Sequence, residues 1–304
     1  MFGFPNLRIT FGFSMFVSGF SIVRNAIKYD YPIVEAIRSV LPLCDEFVIA
    51  VGKSDDDTLK MIRKLDEPKI RIIETVWDDS LREGGKVLAD ETNKAYDAIS
   101  EKADWCFYIQ GDEVIHEKFL PAIKAGMQLW KDDKNVEGLL FNYTHFYGSY
   151  DYVGDSRKWY RNEIRIVRKN KTIRSYKDAQ GFRHTDNSKL KVKAIDASVY
   201  HYGWVKPPEA QQAKQQSFHK MWHDDQWMKE NIPAVDKFDY SQIDSLAKFT
   251  GTHPLVMQDR IQRMNWKFAF DPTKKKWGLK MRLLMFVEKA TGVRIGEYKN
   301  YILQ

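Results

Sequence analysis

The chain is expected to be an α/β protein, with a mostly parallel sheet flanked by helices and then a helical C-terminal extension. Three observations predict it. Short apolar runs alternate with amphipathic helical segments through the first 115 residues. Those runs are apolar at consecutive positions, as strands covered on both faces are. After Pro207-Pro208 the chain turns polar and takes a helical period.

Residues 14–24 alternate and then run apolar, which predicts a first strand ending at Asn25. Ile33, Ile37, Val40 and Leu41 recur at helical spacing over 31–41. A second strand is expected over 45–51 (Asp-Glu-Phe-Val-Ile-Ala-Val). The polar turn Gly52-Lys-Ser-Asp-Asp-Asp-Thr58 opens a helix through Leu65, capped by Ser54 or an aspartate. Residues 69–76 predict a third strand, and 86–100 a helix with Val87, Thr92, Ala95 and Ile99 on one face. The central strand is Trp105-Cys-Phe-Tyr-Ile-Gln110, which runs into Gly111, Asp112 and Glu113 and then a helix expected from near Val114. Further on, 119–130 reads as helix, and 137–145, 163–168 and 191–201 read as strands. The polar–aromatic stretch 146–161 has no clean period, and long irregular segments in compact domains are usually functional. The expected organisation is a body over 1–206 and a helical, basic extension over 207–304.

With 304 residues, 43% apolar and 29% charged, the composition is that of a soluble globular protein. Residues 1–19 carry no basic stretch ahead of an apolar run, so neither signal peptide nor membrane span is expected. Two cysteines, Cys44 and Cys106, are too few for a disulfide framework, which predicts reduced, buried thiols and a cytoplasmic location. Net charge is +7, with eleven Lys/Arg against four Asp/Glu from residue 256 onward and 37 of each before it. An anionic surface near the tail and an ordinary solvated helix face both account for that excess. Residues 277–290 are amphipathic, with Met281, Leu284, Phe286 and Val287 available to one side, and suit either docking on the body or peripheral contact with an anionic membrane. No recognisable nucleic-acid module accompanies the tail, so no nucleic-acid partner is expected. There is no G-x-G-x-x-G after the first strand and no P-loop, which removes the main support for dinucleotide and ATPase readings.

A buried strand that delivers a carboxylate to its C-terminal end needs a counter-charge there. Magnesium or manganese supplies one, taking one or two protein carboxylates plus substrate phosphates. Asp112 and Glu113 fit that requirement, and the bland alternative is that Asp112 caps the helix expected from Val114. His201, at the end of the 191–201 strand, is either a ligand or a strand-end histidine bonded to backbone. His219 and His223 have i, i+4 spacing, but no Glu follows the first His and they are not read as a zinc pair.

Taken together these residues resemble glycosyltransferase family 2, a large family of GT-A (Rossmann-like) fold. Asn25 matches the Asn that ends the family's first strand, and Ser39 a Ser one helix later. Val51-Gly-Lys-Ser54-Asp-Asp56-Asp-Thr58 matches its second strand and turn, and Asn93 an Asn ahead of the central strand. Gln110-Gly-Asp112-Glu113 stands where the family has Asp-x-Asp-Asp or Asp-x-Asp-Glu. By this resemblance Asp112 and Glu113 are metal residues, and Asn25, Asn93 and Gln110 face the nucleotide. Two departures matter. Val51 replaces the acid that contacts the nucleobase, leaving Asp55 or Asp56 as the near choices. Gln110 replaces the acid that faces ribose, and its amide can still hydrogen-bond a hydroxyl. Trp159 followed by Glu-Ile-Arg165-Ile-Val-Arg168 is similar to the lipopolysaccharide-core glucosyltransferase branch. His201-Tyr-Gly-Trp-Val-Lys206-Pro is similar to a family 8 motif, which implies His201 on the metal and Lys206 on the diphosphate.

The resemblance implies an inverting, metal-dependent (Mn2+ or Mg2+) transfer of a sugar from a nucleotide-sugar donor, UDP-linked by preference, to a glycan or lipid-linked acceptor. Inversion needs a base for the acceptor hydroxyl. Asp178, Asp155 and Asp151 are the candidates, with Asp178 in the order the family uses. Arg165, Arg168 and Arg183 are available for phosphate or an acidic acceptor. The alternative from another class is a GT-A-like domain that binds sugar or nucleotide without turnover, as a partner of another transferase.

Overall fold

The computed structural model describes residues 15–232 and 235–304. The expectation for 1–19 therefore lies, up to residue 14, outside the described residues.

The α/β class is the one observed. The chain begins with β1 (Val17–Val23), α1 (Ile33–Val40), β2 (Glu46–Gly52), α2 (Thr58–Arg63), β3 (Ile70–Thr75), α3 (Lys86–Asp97) and β4 (Trp105–Tyr108). The order β3-β2-β1-β4 is parallel throughout. The apolar runs of β2 and β4 are nearly continuous because each strand feeds two cores. Phe47, Ile49, Val51, Trp105 and Phe107 face α1 through Ile33, Ala36, Ile37 and Val40. Val48, Ala50, Cys106 and Tyr108 face the other way, toward Val87, Ala95 and Tyr96 of α3. Truncating one of these aromatics to alanine costs about 3–5 kcal/mol. Cys44 and Cys106 are buried free thiols, and burial pushes Cys44 up to about 12.

Beyond β4 the chain departs from expectation. The helix expected from Val114 is a strand, β5 (Glu113–Ile115), so Asp112 caps nothing. Val114 and Ile115 are β-branched, and an antiparallel partner takes up their backbone groups. Then come α4 (Leu120–Leu129), β6 (Gly138–Tyr147), β7 (Ser149–Gly154), β8 (Asn162–Arg168), β9 (Ile173–Tyr176), β10 (Gly181–His184) and the long β11 (Leu190–Trp204). The first half of the aperiodic 146–161 stretch is thus β7, paired antiparallel to β6. Its aromatic residues disguise the alternation because Tyr150 and Tyr152 are buried on a face that reads as polar. β8 joins the halves, antiparallel to both β4 and β6. The β9–β10 hairpin forms a separate small sheet.

β11 pairs with β5 on one side and β6 on the other, which sets Glu113 opposite His201 and His201 opposite His145. After Pro207 come α5 (Pro208–Lys220), α6 (Asp225–Asn231), β12 (Leu246–Lys248), α7 (Gln258–Gln262), α8 (Leu279–Thr291) and β13 (Tyr301–Leu303). The expected helical extension therefore also returns strands to the large sheet, β12 on β7 and β13 on β11. Among the described residues no helix is long and apolar enough to cross a membrane.

Candidate active site

A cavity of about 410 Å³ opens at the C-terminal ends of β1 and β4, with α5 across it. In open α/β sheets this is where ligands bind. Gln110, Gly111, Asp112, Asp178 and His201 line it together with Tyr31, Trp77, Tyr160, Trp204, Lys214 and Phe218. A second cavity of about 450 Å³ shares Arg24, Tyr29, Ser217 and Met221 with the first and is also lined by Asn25, Lys28, Asp55 and Arg82.

The polar floor of the first cavity follows from strand register. His145 Nε2 lies 2.8 Å from the carbonyl oxygen of Tyr160. A carbonyl only accepts, so this nitrogen carries the proton. Burial pushes His145 down to about 3 and His201 down to about 4, so both rings are neutral. The bare Nδ1 of His145 therefore accepts from His201 Nδ1–H across 3.1 Å. That fixes His201 Nε2 as an unprotonated acceptor, which faces Asp112 Oδ2 at 3.8 Å. A Cβ on Gly203 would lie 2.6 Å from His201 Nε2 and 2.7 Å from Asp112 Oδ2. The two acceptors thus look into a cradle that exists because residue 203 has no side chain. Burial raises the Asp112 carboxyl, but nearby cations, Lys214 foremost, outweigh it and hold the group well below the usual carboxylate range. Lys214 donates from Nζ to Asp112 Oδ2 and to the Gly203 carbonyl, each at 3.0 Å.

Two opposed acceptors with an ammonium beside them fit a divalent cation whose remaining ligands are phosphate oxygens and water. Among the described residues no three His, Cys, Asp or Glu gather at one point, and Asp112 and His201 are the two that face each other across the cradle.

Several expected site residues lie elsewhere. Glu113 is fully buried, and Arg165 grips both its oxygens, at 2.6 and 2.8 Å. Tyr143 adds a 2.6 Å hydrogen bond, leaving Glu113 no place on a metal. Arg165 is equally buried and also donates to the Gln180 carbonyl, so its guanidinium is not available to a diphosphate. Lys206 is buried, donating to the Tyr29 carbonyl at 2.8 Å, and the ammonium in the cavity is that of Lys214. Asp155 lies away from both cavities, paired with Lys275 and accepting from Ser245 at 2.6 Å. Asp151 is exposed on β7 beside Ser149. Asp56 holds the start of α2 through Thr58 N–H and takes Lys28 N–H. Asn93 accepts from Ser175 N–H and ties α3 to β9. Arg168 and Arg183 anchor backbone and Asn300 respectively. Val51 is core.

Others are at the cavities. Asn25 adopts a left-handed conformation (φ 55), and its side-chain oxygen takes the Asp55 N–H at 2.7 Å, placing Asp55 on the second cavity. Gln110 donates to the Ala179 carbonyl at 3.1 Å. Asp178 sits between Lys177 and Ala179, both at positive φ (52 and 62), and burial raises its carboxyl above the ordinary value. Strained non-glycine residues of this kind cluster at functional sites. Gly85, itself at φ 69, leaves room for Asp178, whose Cβ a side chain there would meet at 2.8 Å. Lys214, His145 and Tyr31 are the residues that sequence reasoning missed. His145 is findable from its register with His201 once β6 and β11 are paired, whereas Lys214 is one cation in a polar helix with no distinguishing signal.

No protein-family profile and no curated protein matches the chain. Among solved structures it is similar to S. aureus TarS, with a TM-score of 0.38 and 16% identity over 67% of this chain and 39% of that one. A 1–349 form of that protein, solved in complex with UDP, matches over 66% of this chain and 64% of its own, at the same TM-score and identity. The chain is also similar to glucosyl-3-phosphoglycerate synthase from Mycobacterium tuberculosis, solved with Mn2+, UDP and phosphoglyceric acid, at a TM-score of 0.29 and 17% identity over 43% of each chain. A third similar structure is 4-diphosphocytidyl-2C-methyl-D-erythritol synthase from Anaerococcus prevotii, with a TM-score of 0.37 and 14% identity over 63% of this chain and 90% of that one.

Proposed function

We propose that the chain is a glycosyltransferase of GT-A type, similar to family 2, that transfers a sugar from a nucleotide diphosphate donor, UDP-linked by preference, to a hydroxyl of a glycan or lipid-linked acceptor. The observation that carries the reading is the cradle over Gly203, where Asp112 Oδ2 and an unprotonated His201 Nε2 face each other 3.8 Å apart beside Lys214. A bound Mn2+ or Mg2+ on Asp112 and His201 would neutralise the donor diphosphate. Lys214 supplies a further positive charge where negative charge develops on the leaving diphosphate. Trp77, Tyr160, Trp204 and Phe218 give apolar walls for the sugar and base, and Asn25 and Asp55 supply polar groups in the second cavity. Asp178 takes the acceptor proton as the acceptor oxygen attacks the anomeric carbon and the carbon–oxygen bond to the diphosphate breaks with its electron pair. A carboxylate raised by burial suits that role. This single displacement inverts the anomeric centre.

The test is slow hydrolysis of a panel of sugar nucleotides with manganese, in wild type and Asp112→Ala, beside calorimetric titration of UDP and Mn2+. Expected are metal-dependent hydrolysis of one donor class and its loss in the variant. Metal-dependent binding without turnover on any donor or acceptor would assign the chain to the non-catalytic alternative, and neither binding nor hydrolysis would end both readings.

A further inference from the structure

Helix α8 presents an apolar stripe to water and its acid to the protein. None of its residues is fully buried. Glu288 points inward and meets Arg157 at 2.6 Å, Arg294 at 3.5 Å and Arg161 at 3.6 Å. On the other side Leu279 is 86% exposed, Leu283 64% and Phe286 71%, and Val293 just past the helix is 60% exposed. At about 100° per residue, Leu279, Leu283, Phe286 and Ala290 share one arc roughly 60° wide, opposite Glu288. Exposed Lys280, Arg282 and Lys289 flank that arc. Scattered exposed leucines need no explanation, but an aligned row held outward by a half-buried ion-pair cluster does.

We infer that the outward face of α8 is a membrane-surface contact, lying in the plane of an anionic bilayer with Leu279, Leu283 and Phe286 at the acyl boundary and its cations among headgroup phosphates. The outward face is that of an interfacial helix, an apolar stripe with basic edges, while Met281, Leu284 and Met285 lie on the partly buried side with Glu288. Charge selects this occupant over a second copy of the chain. A two-fold contact would set Lys280, Arg282 and Lys289 against their own images, while the one acid of the helix faces inward. The contact is independent of the transfer reaction proposed above. It reaches the cleft through the loop after β7, since Arg157 and Arg161 bracket Tyr160, which lines the cavity.

The full chain is sedimented with phosphatidylcholine vesicles, with and without phosphatidylglycerol, in low and high salt. Wild type is expected to bind the phosphatidylglycerol vesicles and to be released by salt. Phe286→Ser and Leu283→Ser are each expected to weaken partitioning by about tenfold or more. Neutralising Lys280, Arg282 or Lys289 to Gln is expected to weaken it by about fivefold per charge. All these side chains are exposed, so the variants should melt with the wild type, which circular dichroism checks. Failure of wild type to bind anionic vesicles, or equal binding by the serine variants, overturns the inference. So does a wild-type dimer in light scattering that Phe286→Ser dissociates, which gives the face to a second copy.

Discussion

Gly203→Ala is the sharpest perturbation of the proposed cation site. The new Cβ falls 2.6 Å from His201 Nε2 and 2.7 Å from Asp112 Oδ2. An ion bound by the pair needs the same space, with ligand distances of about 2.0–2.2 Å. Neither partner retreats easily. His201 is held through its other nitrogen by His145 at 3.1 Å, and the Asp112 carbonyl takes the Tyr202 N–H at 2.8 Å. Gly203 is outside the left-handed region, so alanine adds no backbone strain there. The stability cost is that of one extra methyl in a packed site, about 1–3 kcal/mol, or a melting shift of a few degrees. Disturbing even the second sphere of a metal site costs about 10–100-fold in affinity, so direct obstruction should cost about a hundredfold or more. Manganese binding in the presence of UDP, followed by calorimetry and by the electron paramagnetic resonance of free Mn2+, reads this without any turnover. Wild-type manganese affinity in a folded Gly203→Ala would refute the cradle, because no ion could then sit between Asp112 and His201.

Asp178→Asn is expected to lower kcat by about 10²–10⁴-fold with little change in donor KM. Because burial raises the Asp178 carboxyl, wild-type kcat should fall on the acid side above the ordinary carboxylate range, and an unchanged pH profile in the variant would remove Asp178 as base. His145→Phe removes the acceptor that fixes the His201 tautomer, so manganese affinity should drop about 10–100-fold, with partial recovery in His145→Gln. Equal affinity in all three proteins would make the histidine pair mere packing. Glu163 is buried, with one oxygen lacking a hydrogen-bond partner, and burial pushes it up to about 8. The folded state then holds a proton that the unfolded chain releases near 4.5, so this group's stabilisation is complete below that pH and lost as pH rises to 8, by an order of a few kcal/mol. Glu163→Gln should flatten that decline, and parallel melting curves from pH 5 to 9 would count against it.

The parallel half of the fold was legible because β1, β2 and β4 are covered on both faces and mostly apolar, a pattern short polar turns punctuate cleanly, while β3 at the edge exposes only Arg71 and Glu74. β5 was not, since three residues after a turn carry no period, and only the antiparallel partner β11, far along the chain, makes Glu113–Ile115 a strand. β7 was hidden because its buried face is made of Tyr150 and Tyr152, which read as polar. Of the residues that line the first cavity, Asp112, His201, Gln110 and Asp178 could be read from strand ends and motif order. Motif position could not tell that Glu113, next to Asp112, points the other way into Arg165, because successive residues of an extended chain face opposite sides. The same limit applies to Asp56 and Asn93, whose side chains serve the backbone of their own neighbourhood.

Gln110 shows how the departure from the Asp-x-Asp pattern fits the rest of the cleft. Its backbone N–H goes to Glu113 at 3.1 Å, its side-chain nitrogen donates to the Ala179 carbonyl at 3.1 Å, and its side-chain oxygen faces Arg165 at 3.5 Å. An aspartate there is shorter and can only accept, so it would meet the Ala179 carbonyl lone pair to lone pair. It would also bring another carboxylate beside Asp112 and Glu113, with Arg165 the only guanidinium hydrogen-bonded to either of them among the described residues. Gln110 instead fastens the end of β4 to the turn that carries Asp178 between its two left-handed neighbours. With Arg165 spent on Glu113, Asp112 is the carboxylate left facing the cradle, and Lys214 on α5 balances it. The amide of Gln110 and the ammonium of Lys214, from a later helix, are therefore two parts of one charge arrangement. It leaves a single carboxylate facing the cradle while fastening the turn that carries Asp178.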